Sequence, residues 1–318
     1  MTVIGNSSQT PYPLSGGGSC PLPLERLRQH LTRGEYVQAR REAERLIHVG
    51  DLTGANLVQA YRGAALAHYY VQDVFAAAKL GEKALERASA IGEWELIGRA
   101  RYDLGEFYLT LGDSHLAREH LAQFLSDLPH YPQIQGLEAK AHHNLALILR
   151  QRREYEKAIT YHETAASLHR RENRDREAME AVRGIIWCHL AASRPAAAWP
   201  YIEQVSMYLQ SHSDDGLSAS LLTDLAYYHR LSGDIRTSMD FCEEALVPGR
   251  PGVDDHILAT ACVIAGENAL DVGQHKEAGM FANLALDFAL KAKHPFLMNR
   301  ASALRRQVAE VTQSRTPD

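Results

Sequence analysis

One small residue returns along this chain at a nearly constant interval, and that recurrence limits the fold more than any other feature. Ala39, Ala77, Ala117, Ala158, Ala198, Ser238 and Ala278 lie 38, 40, 41, 40, 40 and 40 residues apart. Five positions before them stand Gly34, Gln72, Gly112, Arg153, Ser193, Gly233 and Gly273. The frame is clearest from Leu104 to Ala117, where Gly105, Tyr108, Gly112 and Asp113 precede the alanine. This order suits a small residue where two helices cross, an aromatic one turn on, a tight turn, and an alanine opening the buried face of a second helix. A unit of this size cannot bury its apolar face alone, so copies must stack. The apolar 45% of the chain is dominated by Ala and Leu rather than by Val-Ile-Thr runs, which favours helix throughout.

Leu104-Gly105-x-x-Tyr108-x-x-x-Gly112-Asp113-x-x-x-Ala117 resembles the first half of a tetratricopeptide repeat (TPR), and the resemblance extends over roughly residues 24–290. It implies an all-α, right-handed α-solenoid of about seven TPR-like helix pairs. Phe296 to about Val311 would form a C-terminal capping helix through Leu297, Ala301, Leu304 and Val308. The expected division is a flexible tail over 1–23, rich in Gly, Ser and Pro, one superhelical domain over 24–313, and a disordered tail over 314–318. The familiar repeat is about 34 residues long, whereas the spacing here is near 40, which lengthens each helix by nearly a turn. Long-period repeats are similar to those of bacterial peptide-sensing regulators, of maltose-activator-type regulators and of kinesin light chains.

Three local expectations follow from breaker residues. Arg152-Arg153-Glu154 lacks the glycine of its counterparts, which puts the tightness of that turn in question. Pro200, five residues into a helix started by Pro195, predicts a kink. Val247-Pro248-Gly249-Arg250-Pro251-Gly252 predicts a break.

Catalytic signatures are lacking: no phosphate-binding glycine loop, nucleophile elbow or His-Glu-x-x-His occurs, so no enzyme activity, cofactor or metal is expected. His142 and His143 diverge by about 100° on a helix, and His162 falls at a packing position. Cys188, Cys242 and Cys262 read as buried reduced thiols; Cys20 lies in the N-terminal tail. A net charge of -5 disfavours direct nucleic-acid binding, and no apolar run reaches 18 residues. The run His169–Arg176 mixes acids with bases and reads as a solvated turn. A cytoplasmic location is expected.

The resemblance also implies which side chains converge, because the first helix of each TPR pair lines a groove. Counting back 15, 11 and 8 residues from the recurring small residue, and 18 for Arg99 and Lys140, selects the stripe. It contains Arg62, Tyr69, Arg99, Tyr102, Lys140, His143, Arg150, Arg183, Trp187, Tyr227 and Arg230. Asn144 shares one repeat position with Asp103 and Asp224, suited either to a ligand backbone or to a neighbouring helix end. Guanidinium groups beside flat rings, with few acids, suit an extended or helical peptide or protein segment carrying acidic groups or a free C-terminus. The expected function is a non-enzymatic scaffold or sensor, with a homodimer left open. Two alternatives stand beside it: a regulator resembling peptide-pheromone receptors, acting on a transcription factor or response regulator, and a partner-directed phosphatase.

Overall fold

The computed structural model describes residues 22–292 and 295–313, and every regular element among them is helical. Of the tail expected over 1–23, residues 1–21 (Cys20 among them) lie outside the described residues, as does 314–318, while 22–23 belong to the first helix. Helices come in pairs: α1 (Leu22–Thr32) with α2 (Tyr36–Val49), α3 (Gly54–Tyr70) with α4 (Val74–Ile91), and α5 (Trp94–Leu111) with α6 (Ser114–Asp127). Short 3-10 turns, Leu128–His130 and Pro132–Leu137, then lead into α7 (Glu138–Gln151) and α8 (Tyr155–Arg171). α9 (Asp175–Ala191) pairs with α10 (Pro195–Ser211), α11 (Asp215–Leu231) with α12 (Ile235–Ala245), and α13 (Asp255–Asp271) with α14 (His275–Lys291), before α15 (Pro295–Gln313). The first helix starts at Leu22, two residues earlier than its apolar spacing suggests, with Pro23 tolerated in the opening turn.

The helices group into two compact units that divide within α7, between Ile148 and Leu149. In the N-terminal unit α1 packs against α3, α3 against α5, and each second helix against the pair it joins. In the C-terminal unit α9 lies beside α11, α11 beside α13 and α13 beside α15, with α10, α12 and α14 packed behind them. Each unit is thus a stack of helix pairs, the α-solenoid arrangement.

All seven frame residues are fully buried, which is why only Ala or Ser serves there. Ser238 is the exception that keeps its hydroxyl satisfied: it donates to the Ala226 carbonyl at 2.7 Å and accepts from Asn268 Nδ2 at 2.7 Å. Gly105 occupies the predicted close crossing, where a Cβ would sit 2.6 Å from Leu121. Asp73, Asp113, Asp214, Asp234 and Asp254 cap the helices that follow them by accepting backbone N–H groups.

The turn at Arg153 is as tight as the glycine turns. Gly112 N–H bonds to Leu109 O and Asp113 N–H to Tyr108 O; likewise Arg153 N–H bonds to Arg150 O and Glu154 N–H to Leu149 O. Arg153 reaches this geometry at φ +61, and Gln72, Asn173 and Ser193 do the same at +69, +55 and +58. Hydrogen-bond closure of the helix end outweighs the strain of a left-handed residue. α10 runs through Pro200 as one helix, and turns occupy 248–249 and 251–252 where the break is expected. Cys188, Cys242 and Cys262 are buried free thiols, and burial pushes Cys188 up to about 11 and the other two to about 12.

Candidate functional site

The first helices of each unit carry the stripe of cations and rings, and the structure divides those side chains into two populations. In the N-terminal unit Arg62, Tyr69, Arg99, Tyr102 and Asn144 are all buried. Arg62 on α3 is 2% exposed and donates through Nε to Asp103 on α5 at 2.7 Å, 41 residues on. Arg99 bonds Glu95 one turn back at 3.0 Å. The Tyr69 and Thr110 hydroxyls stand 3.2 Å apart, again across 41 residues. Tyr102 donates to Glu106 at 2.6 Å; burial, only partly countered by Tyr102, Lys140 and Asn144, raises that carboxyl. Lys140 and His143 are half-buried.

The description of this stripe as poor in acids is therefore corrected. Glu106 and Glu267 fall at stripe positions themselves, Glu95 sits one turn from Arg99 on the same helix, and Asp103 reaches Arg62 from the neighbouring first helix. Arg62, Tyr69, Arg99, Tyr102 and Asn144 are buried within the N-terminal unit, and Arg62 and Tyr69 join one repeat to the next.

The C-terminal unit repeats the arrangement. Arg183 on α9 donates twice to Asp224 on α11, at 2.7 and 3.1 Å, and once to Glu180 at 3.2 Å. Burial opposes its charge, but Asp224 and Glu180 outweigh that and hold the guanidinium protonated. Arg230 bonds Asp271 on α13 at 2.6 Å and lies 3.5 Å from Glu267. Asp103 and Asp224, whose role at their shared position was open between ligand and neighbour, are thus neighbour-binding residues.

What remains accessible in this unit lies around Arg150, Trp187 and Tyr227. Trp187 and Tyr227, both half-buried, tilt against each other with ring centroids 5.2 Å apart. Arg300 of α15 lies over the Tyr227 ring at 5.2 Å and is fixed by two hydrogen bonds to Glu267, at 2.9 and 3.1 Å. Arg150, in the last turn of α7, is half-buried, and its guanidinium makes no hydrogen bond or ion pair with a described residue. Burial, reinforced by Arg183, lowers its pKa. His256 of α13 shares this neighbourhood: burial, then the charges of Arg183 and Arg150, push it down to about 4, so it is neutral at physiological pH.

The stripe arithmetic found Arg150, Trp187 and Tyr227 but missed His256, Asp271 and Arg300. Asp271 was findable, because Arg62–Asp103, Arg183–Asp224 and Arg230–Asp271 all recur at an interval of 41. His256 and Arg300 have no such signal: one enters from the first turn of its helix and the other from the final helix.

His162 is a core residue, its ring filling the space beside Gly184 of α9, as its packing position predicts. Most of the run 169–176 is exposed; its last arginine, Arg176, donates to Asp214, 38 residues further on, at 2.7 Å. Among the described residues, no group of three or more His, Cys, Asp or Glu is placed to hold a metal ion, and no helix is long and apolar enough to cross a membrane.

Comparison with known proteins agrees with this architecture. Residues 139–172 match the family described as Tetratricopeptide repeat. The structure is similar to that of NprR in complex with its cognate peptide NprX, with a TM-score of 0.66 and 14% identity over 92% of this chain and 83% of NprR. It is similar to the apo form of RapI, with a TM-score of 0.64 and 12% identity over 92% and 86% of the two chains. A tetratricopeptide repeat protein from Parabacteroides merdae gives 0.64 and 14% over 88% and 97%. Comparison with curated proteins gives no sequence match.

Proposed function

On this tetratricopeptide fold, we propose that the chain is a peptide-binding scaffold or sensor whose contact surface is the first-helix face of the C-terminal unit. The observation that supports this is the contrast between the paired cations and the site around Arg150. Arg183 and Arg230 already have carboxylate partners. Beside them Trp187 and Tyr227 present flat area, and Arg150 presents a cation without a partner among described residues. Rings supply rigid contact area with little entropy to lose, and a guanidinium fixes orientation. A peptide or exposed protein segment with an acidic side chain or a free C-terminus has the matching chemistry.

A regulator resembling peptide-pheromone receptors is the more specific version of this reading. It is favoured by the likeness to NprR, which was solved with its cognate peptide.

Affinity selection from a random heptapeptide pool with free C-termini tests the proposal. Wild-type protein is expected to enrich a defined set of sequences, and Trp187→Ala or Tyr227→Ala is expected to weaken their binding at least tenfold. The absence of any enriched sequence would end the reading. So would enrichment that both ring variants leave unchanged.

A further inference from the structure

We propose that Arg150 is the single anion-reading residue of the C-terminal unit and accepts one carboxylate of the bound segment; this rests on the peptide-binding reading above. The argument is one of register. Neighbouring first helices meet with an offset of 41 residues, and that offset supplies Asp103 to Arg62, Asp224 to Arg183 and Asp271 to Arg230. For Arg150 the same offset arrives at Ala191, flanked by Leu190 and Ala192. The lattice of pairs that neutralises its three counterparts has an apolar gap here.

The acids nearest in sequence, and Asp224 on α11, are committed elsewhere. Glu154 holds Arg152 and Lys157, and Glu156 holds Arg194. Both carboxylate oxygens of Asp224 accept from Arg183. Of the other groups that face Arg150, Arg183 is a like charge, the Cys188 thiol is held neutral by burial, and His256 is neutral; Asp224 supports its charge from a distance without bonding it.

A half-buried guanidinium in such a place has lost much of its hydration without gaining a counter-ion, an unfavourable state for the free protein. A carboxylate arriving in the plane of the fork would restore two charge-assisted hydrogen bonds. The paired cations would gain nothing comparable, since each would have to release an acid first. One carboxylate is therefore read here, rather than a run of acidic residues along the face. Trp187, one α-helical turn beyond Arg183, gives the residue next to that carboxylate a ring to lie on.

Two sources offer the same chemistry, a peptide α-carboxylate and an Asp or Glu side chain, and the experiment separates them. The most enriched heptapeptide of the pool is made as the free acid, as the C-terminal amide, and with each Asp or Glu replaced by Asn or Gln. All forms are titrated calorimetrically against wild type, Arg150→Gln and Arg150→Lys.

Neutralising one carboxylate is expected to weaken wild-type binding at least tenfold and to leave Arg150→Gln binding unchanged, so that the two losses do not multiply. The form that shows this coupling identifies the source, and Arg150→Lys is expected to recover part of the loss. Arg150→Gln should melt no lower than wild type, because it removes a half-buried charge that has no counter-ion bonded to it. Independent, multiplying losses would overturn the proposal, as would equal binding by wild type and Arg150→Gln. If such a peptide still depends on Trp187 and Tyr227, only the role of Arg150 falls. If the pool yields nothing, the binding reading falls and takes this assignment with it.

Discussion

Arg183 and Asp224 are joined by a two-pronged hydrogen bond between α9 and α11, with the aspartate wholly removed from solvent. The carboxyl is pushed up by its burial, so it depends on Arg183 to stay ionised. Removing one partner of such a pair leaves an uncompensated charge inside the protein. Asp224→Ala is expected to destabilise the fold by about 3–5 kcal/mol in chemical denaturation. Arg183→Met combined with Asp224→Leu should recover most of that loss. A double variant as unstable as Asp224→Ala would show that the pair contributes more than mutual neutralisation.

The left-handed residue in the α7–α8 turn gives a prediction of opposite sign. Arg153 adopts φ +61 without the freedom that glycine has at Gly112. Arg153→Gly is expected to raise stability by about 0.5–1 kcal/mol, the relief of strain being partly offset by a more flexible unfolded chain. Thermal melting of this variant beside Gly112→Arg, which should lose stability, checks both directions.

Gly184 and His162 make a third test. A Cβ at Gly184 would overlap the His162 ring, and that ring is fully buried. Gly184→Ala should therefore cost about 1–3 kcal/mol. In a His162→Ala background the same change should cost much less, because the obstructing ring is gone. Additive losses from the two substitutions would show that the overlap is not what excludes a side chain.

His256 predicts a pH dependence. Its pKa falls from 6.5 to about 4 through burial and then through Arg183 and Arg150. Between those values the unfolded chain holds a proton that the folded chain refuses, so stability drops as the pH is lowered through this window. The contribution is fully present above about 6.5, and its slope cannot exceed about 1.4 kcal/mol per pH unit for one proton. Denaturation at pH 7 and pH 4.5 should show a smaller loss for His256→Gln than for wild type. Equal losses would assign the acid sensitivity to other groups.

Much of the candidate site is visible in the chain before it folds, and the part that is not has a definite cause. Repeat arithmetic places Arg62, Arg150, Arg183 and Arg230 on equivalent faces, since helix geometry alone decides which way each points. It treats them alike, although three have a carboxylate partner 41 residues on, on the next first helix, and the same count from Arg150 reaches only Ala191. Once the offset of 41 is known, the distinction can be written from residue numbers. The offset itself comes from how far one helix slides along its neighbour, and no local pattern encodes that.

The sequence by itself determined the helices, their pairing and the buried small residues. These depend on interactions within a few turns, and the spacing of Ala117 from Gly112 or Gly105 states them directly. Only the tertiary structure decided which charges are satisfied, and it brought His256 and Arg300 to the rings and cations of α7, α9 and α11. The charge around those rings depends on side chains up to 150 residues apart along the chain, from Arg150 to Arg300, so it is fixed only when the helices stack.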